Sequence, residues 1–357
     1  MKTIYIIVLT FALIIGAAVT SDAKPQDPKE PFPYNVKEVV FDNTNDNIKV
    51  GATLTYPKGK ENYPIVIMLN GSGAQDRNSE IFGHKPFWVL ADHLSRNGIA
   101  TLRMDDRGVG ETEGDYHNSN LQDFVKDAEY AIQYVKESND LNIGSIGVLG
   151  HSLGGSVATF LASSSDQIDF MVLLASAGIR GDELMLLQKS TIESKMGMTD
   201  AQVEASRNNI APAYEIIINN KEKKNDDLKL LVSDYFNTLY NGQLPASQLN
   251  GIVNQLTAPW MVEFISTNPF DYLKDVGCRV LAINGTNDLQ VLPEPNLNGI
   301  KSGLQSGGNE NLTIKKYDGL NHLLQESKTG MPQEYGTIEQ TISPKVLEDI
   351  AKWINQN

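Results

Sequence analysis

Cysteine is all but missing from this chain: Cys278 is the only one in 357 residues. A single thiol permits no disulfide within the chain and no zinc site built on cysteine. Histidine is scarce too, with five residues. No His or carboxylate cluster has the spacing of metal ligands, so the chemistry is expected to need neither metal nor cofactor. Basic residues are in deficit, 30 Lys and Arg against 44 Asp and Glu, for a net charge of −14. That balance argues against nucleic acid and anionic membrane surfaces as partners. There is no internal repeat, and no low-complexity tract beyond a Pro-rich stretch near the N-terminus.

At the N-terminus, Met1-Lys2 is followed by an apolar run from Ile4 to Val19, and Ser21-Asp22-Ala23 supplies a cleavage site. This pattern is that of a secretory signal peptide over residues 1–23. An uncleaved anchor is the rival, but the run is short of the ~20 residues that a membrane span needs. No cysteine lies near it, which excludes a lipid-modified N-terminus. A single thiol in an exported protein suits a bacterial periplasm, so the expected location is periplasmic or secreted, with no membrane contact after cleavage. Residues 24–35, which include Lys24-Pro25-Gln26-Asp27-Pro28, are expected to form an extended tether.

From residue 36 the apolar pattern alternates between strand and helix. Glu38 to Phe41 and Lys49 to Tyr56 make a hairpin, and Pro64 to Leu69 is apolar enough for a strand buried on both faces. A helix over 86–96, a strand over 99–104 and a helix over 121–136 follow, then strands ending near 151 and 174. This rhythm predicts an α/β fold, a mainly parallel sheet flanked by helices. The first part of its core spans 36–180. Over 181–264 no clear strand is seen, only helical stretches at 183–196, 199–219, 226–240 and 246–256. Because strands resume directly afterwards, this block is expected to be a helical cap inserted into the core and not a separate domain. The second part of the core, 265–357, holds strands at 278–283 and 312–317, a helix around 295–304 and a closing amphipathic helix at 346–354.

The chemistry centres on Gly150-His151-Ser152-Leu153-Gly154-Gly155, which ends an apolar run and precedes an Ala-rich segment. Gly-x-Ser-x-Gly in that setting is a nucleophile elbow, a sharp strand-to-helix turn that lifts the serine out of the sheet. Such a serine needs a base to take its proton and a third group to orient the base. On this fold the acid and then the histidine follow the serine in the chain. Of His84, His93, His117, His151 and His322, only His322 has room for a strand and an acid between itself and Ser152. His151 adjoins Ser152, but successive side chains on the turn point apart. His93 falls within a helix, and His84 and His117 fall in loops where a solvated role is expected. Asp288 leaves the end of a strand in Gly285-Thr286-Asn287-Asp288. Its competitor, Asp318, precedes Gly319 as a turn residue would. Acyl transfer also needs donors for the developing oxyanion. These are expected from the N–H of Leu153 and from Ser72 in Asn70-Gly71-Ser72-Gly73, just after the buried strand. No Gly-Lys-Ser/Thr follows that loop, and Gly108-Val109-Gly110-Glu111-Thr112-Glu113-Gly114 fails the dinucleotide spacing by one residue. Asp106-Arg107-Gly108 is expected to brace the loops around the site.

Taken together, several stretches carry a resemblance. They are Gly71 to Arg77, Asp106 to Gly110, Gly150 to Gly155, Thr257 to Trp260, Asn284 to Val291 and Leu320 to His322. On them the chain resembles the α/β-hydrolase superfamily, close to its serine aminopeptidase-like hydrolases and bacterial carboxylesterases, from Pro33 to Ile354. The resemblance implies a Ser152–His322–Asp288 triad and hydrolysis of small-molecule esters with small acyl groups. A peptidase releasing N-terminal residues and a non-catalytic binding protein on the same fold are the alternatives. Many esterases carry His-Gly before the oxyanion donor, and this chain has Asn70-Gly71. Trp260, held behind Pro259 at the return from cap to core, is expected to wall the acyl pocket.

Overall fold

A computed structural model describes residues 23–356. The leader expected to be a signal peptide, 1–23, lies outside the described residues except for Ala23. Strands β1 (Tyr34–Asn43) and β2 (Ile48–Pro57) form an antiparallel hairpin. Asn43 ties its turn, since Oδ1 accepts from the backbone N–H of Asn45 at 3.1 Å and of Asp46 at 3.2 Å. The chain continues through β3 (Tyr63–Leu69), α1 (Pro86–Arg96), β4 (Ala100–Met104), α2 (Leu121–Glu137), β5 (Ile143–His151), α3 (Leu153–Ser164) and β6 (Phe170–Leu174).

Between β6 and the next strand come α4 (Gly181–Lys195), α5 (Asp200–Asn220), α6 (Asn225–Leu239), α7 (Ala246–Leu256), α8 (Pro259–Ser266) and α9 (Phe270–Leu273). The last two were not expected as helices. Pro259 starts α8 because proline suits the first helical position, whose N–H has no intrahelical partner to lose. The chain closes with β7 (Arg279–Gly285), α10 (Pro293–Ser306), β8 (Leu312–Tyr317) and α11 (Pro344–Ile354).

The eight strands make one sheet in the order β1-β2-β4-β3-β5-β6-β7-β8. Pairing is antiparallel for β1–β2 and β2–β4 and parallel from β4 through β8. The expected α/β architecture is thus observed. Along β3, Ile65 and Ile67 enter one core cluster while Val66 and Met68 enter the other. That two-residue period sends alternate side chains to opposite faces, and helices cover both, so the strand is apolar throughout. All four are at most 1 % exposed, and burying each stabilises the fold by roughly 1.5–3 kcal/mol. A third cluster, with Leu184, Ile217, Val232 and Met261 among its members, is built from the helices between β6 and β7.

Residues 24–31 are not an extended tether. Asp27 N–H closes a turn onto Lys24 O at 3.0 Å. The Gln26 amide docks on the loop before α11, donating to Ile342 O at 2.8 Å and accepting from Ile342 N–H at 3.1 Å. A side-chain amide that pairs both backbone groups of a neighbouring segment holds this stretch against the body. Among the described residues, no helix is long and apolar enough to cross a membrane.

Candidate active site

The carboxyl ends of β5, β6 and β7 lie level, His151 opposite Leu174 and Leu174 opposite Ile283. In an open parallel sheet this edge is where sites are built. Ser152 sits on it, between the end of β5 and the start of α3, with φ 53° and ψ −117°. A non-glycine residue there stores about 1–3 kcal/mol of backbone strain. Two hydrogen bonds hold it: Ser152 N–H to Leu174 O and Gly155 N–H to Ser152 O, both 2.9 Å. The flanking glycines are required by space. A Cβ on Gly150 would lie 2.1 Å from Gly154 O, and one on Gly154 would lie 2.1 Å from Leu69 O. Strand and helix therefore pass too closely for any side chain at either position.

His322 follows β8 in a tight loop. Asn321 knits that loop, its Oδ1 accepting from the N–H groups of Leu323 and Gln325, both at 3.0 Å. His322 donates its Nδ1–H to Asp288 Oδ2 at 2.8 Å. The other oxygen, Oδ1, accepts from Gln290 N–H at 2.8 Å and Val291 N–H at 2.9 Å. The Asp288 side chain is fully buried and that of His322 nearly so. With an acceptor-only partner on Nδ1, the neutral ring keeps its lone pair on Nε2. Asp318 stays exposed on the surface, accepting from Thr286 Oγ at 3.0 Å, and takes no part in this pair.

His151 is closer to the site than its orientation on the turn suggested. Its ring packs on that of His322 at a centroid distance of 4.8 Å, and its Nε2–H donates to His322 O at 2.9 Å. Burial, and then the neighbouring His322, push its pKa down to about 3, so the ring stays neutral. Ser152 and His322 are thereby linked through His151. Among the described residues, Ser152 Oγ makes no hydrogen bond to the His322 ring; such contacts commonly tighten only when substrate binds. The remaining histidines lie elsewhere. His93 is partly buried on α1, and His117 is exposed. His84 corrects the solvated expectation: it is wholly buried, with Nδ1 on Thr341 Oγ at 3.0 Å and Nε2 on Tyr335 O at 3.2 Å.

The loop after β3 passes beside the serine. A Cβ built on Gly71 would be 3.6 Å from Ser152 Cβ. Neither the Ser72 N–H nor the Leu153 N–H is engaged within the described residues. Leu153 opens α3, where unpaired N–H groups and the helix dipole favour negative charge. The loop is pinned from below by Asp106, which accepts from Asn70 Nδ2 at 3.1 Å and from Gln75 N–H at 2.9 Å. Burial pushes the Asp106 carboxyl up to about 7. From the other side, Gly73 N–H donates to Tyr116 Oη at 2.7 Å. Arg107 is buried against Asp127, 2.7 Å, and Asp46, 2.6 Å. Arg77 pairs with Asp105, Glu38 and Glu111. Asp106 and Arg107 thus brace the loops, as expected from the sequence.

Ser72, Ser152 and Leu153 border a cavity of about 40 Å³. Its far wall comes from α4 and α8, with Leu184, Met185, Trp260 and Phe264, and carries no charged side chain. Trp260 also touches both the sheet core and the helical cluster, and lies 6.5 Å from the Tyr116 ring. Sequence reasoning missed Tyr116, Asn321, and the wall residues Gln188 and Gln290. Asn321 and Gln290 lie within stretches that carry the resemblance, Leu320 to His322 and Asn284 to Val291, but had been given no role there; Tyr116 and Gln188 lie in none of them.

Comparison with known proteins agrees with this fold. Residues 86–327 match the family described as Serine aminopeptidase, S33. The chain is 25% identical over 348 residues to Esterase EstD of Thermotoga maritima, covering 96% of this chain and 73% of that protein. An esterase of Pyrococcus furiosus superposes with a TM-score of 0.52 at 17% identity, covering 93% of this chain and 98% of the other. A hypothetical protein from Pseudomonas aeruginosa gives 0.55 at 14% identity, covering 94% and 98%. These two structural likenesses concern the fold. The family match spans well over half the chain, on a sheet with this strand order and this elbow, and the chain belongs to the serine aminopeptidase S33 family of α/β-hydrolases.

Proposed function

We propose that the chain is an exported serine esterase that hydrolyses carboxylic esters of small acyl groups through an acyl-enzyme. His322 Nε2 takes the proton of Ser152 Oγ as the oxygen bonds to the ester carbonyl carbon. Asp288 orients the ring and stabilises the imidazolium that forms. The carbonyl oxygen gains negative charge and is met by the N–H groups of Leu153 and Ser72. The tetrahedral species collapses, the C–O bond to the alcohol breaks, and His322 returns the proton to the departing alkoxide. Water then repeats the sequence on the acyl-enzyme, releasing the acid and freeing Ser152. The block 181–264 acts as a cap that closes the acyl site, with Trp260 as one wall. The leader over 1–23 directs the enzyme to the periplasm or the medium.

The observation that carries this reading is the uncharged cavity of about 40 Å³ beside Ser152. Release of an N-terminal residue would require a carboxylate to hold the substrate ammonium, because a charge buried without a partner is costly. The wall offers amides and apolar groups instead. The name of the Thermotoga maritima relative, an esterase, supports the same choice. A panel of 4-nitrophenyl acyl esters beside aminoacyl 4-nitroanilides tests it. Turnover of acetyl to butyryl esters with little on the anilides is expected. Preference for the anilides would favour the peptidase, and turnover of neither would favour a binding protein.

A further inference from the structure

We propose that Gln188 selects acyl groups bearing a hydroxyl, an inference that rests on the ester reading above and narrows its substrate class. Gln188 lies on α4, is only 7% exposed, and borders the same cavity as Ser152. An amide buried beside Leu184, Met185 and Trp260 is costly unless its hydrogen bonds are met. Its only side-chain hydrogen bond among the described residues runs from Nε2 to Gln290 Oε1 at 3.5 Å, the outer edge of useful range. Gln290 itself is fixed. Its backbone N–H goes to Asp288 Oδ1 at 2.8 Å, and its Nε2 donates to Tyr335 Oη at 3.0 Å. Gln188 therefore keeps its carbonyl oxygen and one N–H for whatever fills the cavity.

Those two groups define the complement. A hydroxyl can donate to the Gln188 carbonyl and accept from its N–H, while an alkyl carbon can do neither. An ammonium or a carboxylate would enter a wall with no opposite charge. The smallest pair of groups that isolates this choice is a short acyl chain with and without a terminal hydroxyl. The 3-hydroxypropionyl group is such a chain, and butyryl is its isostere with a methyl in place of the hydroxyl.

The test compares kcat/KM on 4-nitrophenyl 3-hydroxypropionate and 4-nitrophenyl butyrate, in wild type and in Gln188→Met. Wild type should favour the hydroxyacyl ester by about tenfold, the worth of one well-made hydrogen bond. Gln188→Met should invert the preference, with active sites counted by a fluorophosphonate so that folding losses cancel. A wild-type ratio at or below one overturns the inference, as does an unchanged ratio in titrated Gln188→Met. If that variant does not fold, inhibition of wild type by 3-hydroxypropionamide against butyramide decides: no tighter binding by the hydroxylated amide overturns it. Turnover of butyrate without any hydroxyl preference sinks this inference and leaves the ester reading standing. Turnover of neither ester sinks both.

Discussion

His322 hands its Nδ1–H to Asp288 Oδ2 across 2.8 Å, in a spot where both side chains are almost sealed from water. The carboxylate therefore fixes the tautomer that the mechanism requires. Asp288→Asn places an N–H donor opposite Nδ1 and turns the basic nitrogen away from Ser152. Ester turnover should fall by about 10²–10⁴-fold with the protein still folded. Asp318→Asn, which alters only an exposed bond to Thr286, should stay within about twofold of wild type. Steady-state rates on a butyryl ester decide, and the reverse order of effects would assign the acid to Asp318.

Trp260 stands where the cavity, the sheet core and the helical cluster meet. Trp260→Ala should open the wall and shift the preference toward longer acyl chains. The octanoyl-to-acetyl ratio of kcat/KM should rise by about tenfold or more. The same change removes a large packed side chain, and a cost of about 3 kcal/mol in stability is expected. A lower melting temperature with the wild-type ranking of acyl chains would make Trp260 a packing residue alone.

Asp106 gives a pH dependence with a definite sign. Burial raises its folded pKa to about 7, whereas an exposed aspartate titrates near ~3.9. The folded state thus holds this proton more tightly than the unfolded state. The stability that this confers is complete below ~4 and is lost as the pH rises through about 7. Wild type should lose melting temperature between pH 5 and pH 8.5 more steeply than Asp106→Asn, which has no proton to lose. Parallel melting curves for the two proteins would contradict this.

Much of the fold was legible because the pattern is strong where the sheet is buried. The run Ile65-Val66-Ile67-Met68 is apolar at every position because each side chain enters a core on one face or the other. The strand and helix periods elsewhere follow the same logic of burial. The elbow was legible for a steric reason: glycine is the only residue that fits at 150 and 154. His322 and Asp288 could be chosen by chain order, because topology brings the loops after β7 and β8 beside the elbow. What stayed hidden was decided by contacts between distant segments. Gln26 docks on Ile342, and His84 is buried between Thr341 and Tyr335, through pairings more than 200 positions apart that no local pattern encodes. Gln188 faces the cavity because of how α4 lies over it, and an isolated glutamine in a helix announces nothing about the wall it joins.

The most direct measurement is covalent labelling of the serine. Wild type treated with a fluorophosphonate should take up one equivalent, lose ester turnover in proportion, and yield a modified peptide with the adduct on Ser152. Ser152→Ala should melt near the wild-type temperature, refuse the label and turn over esters about 10³-fold or more slowly. An adduct on another residue, or a Ser152→Ala variant that still labels and still hydrolyses esters, would contradict the account.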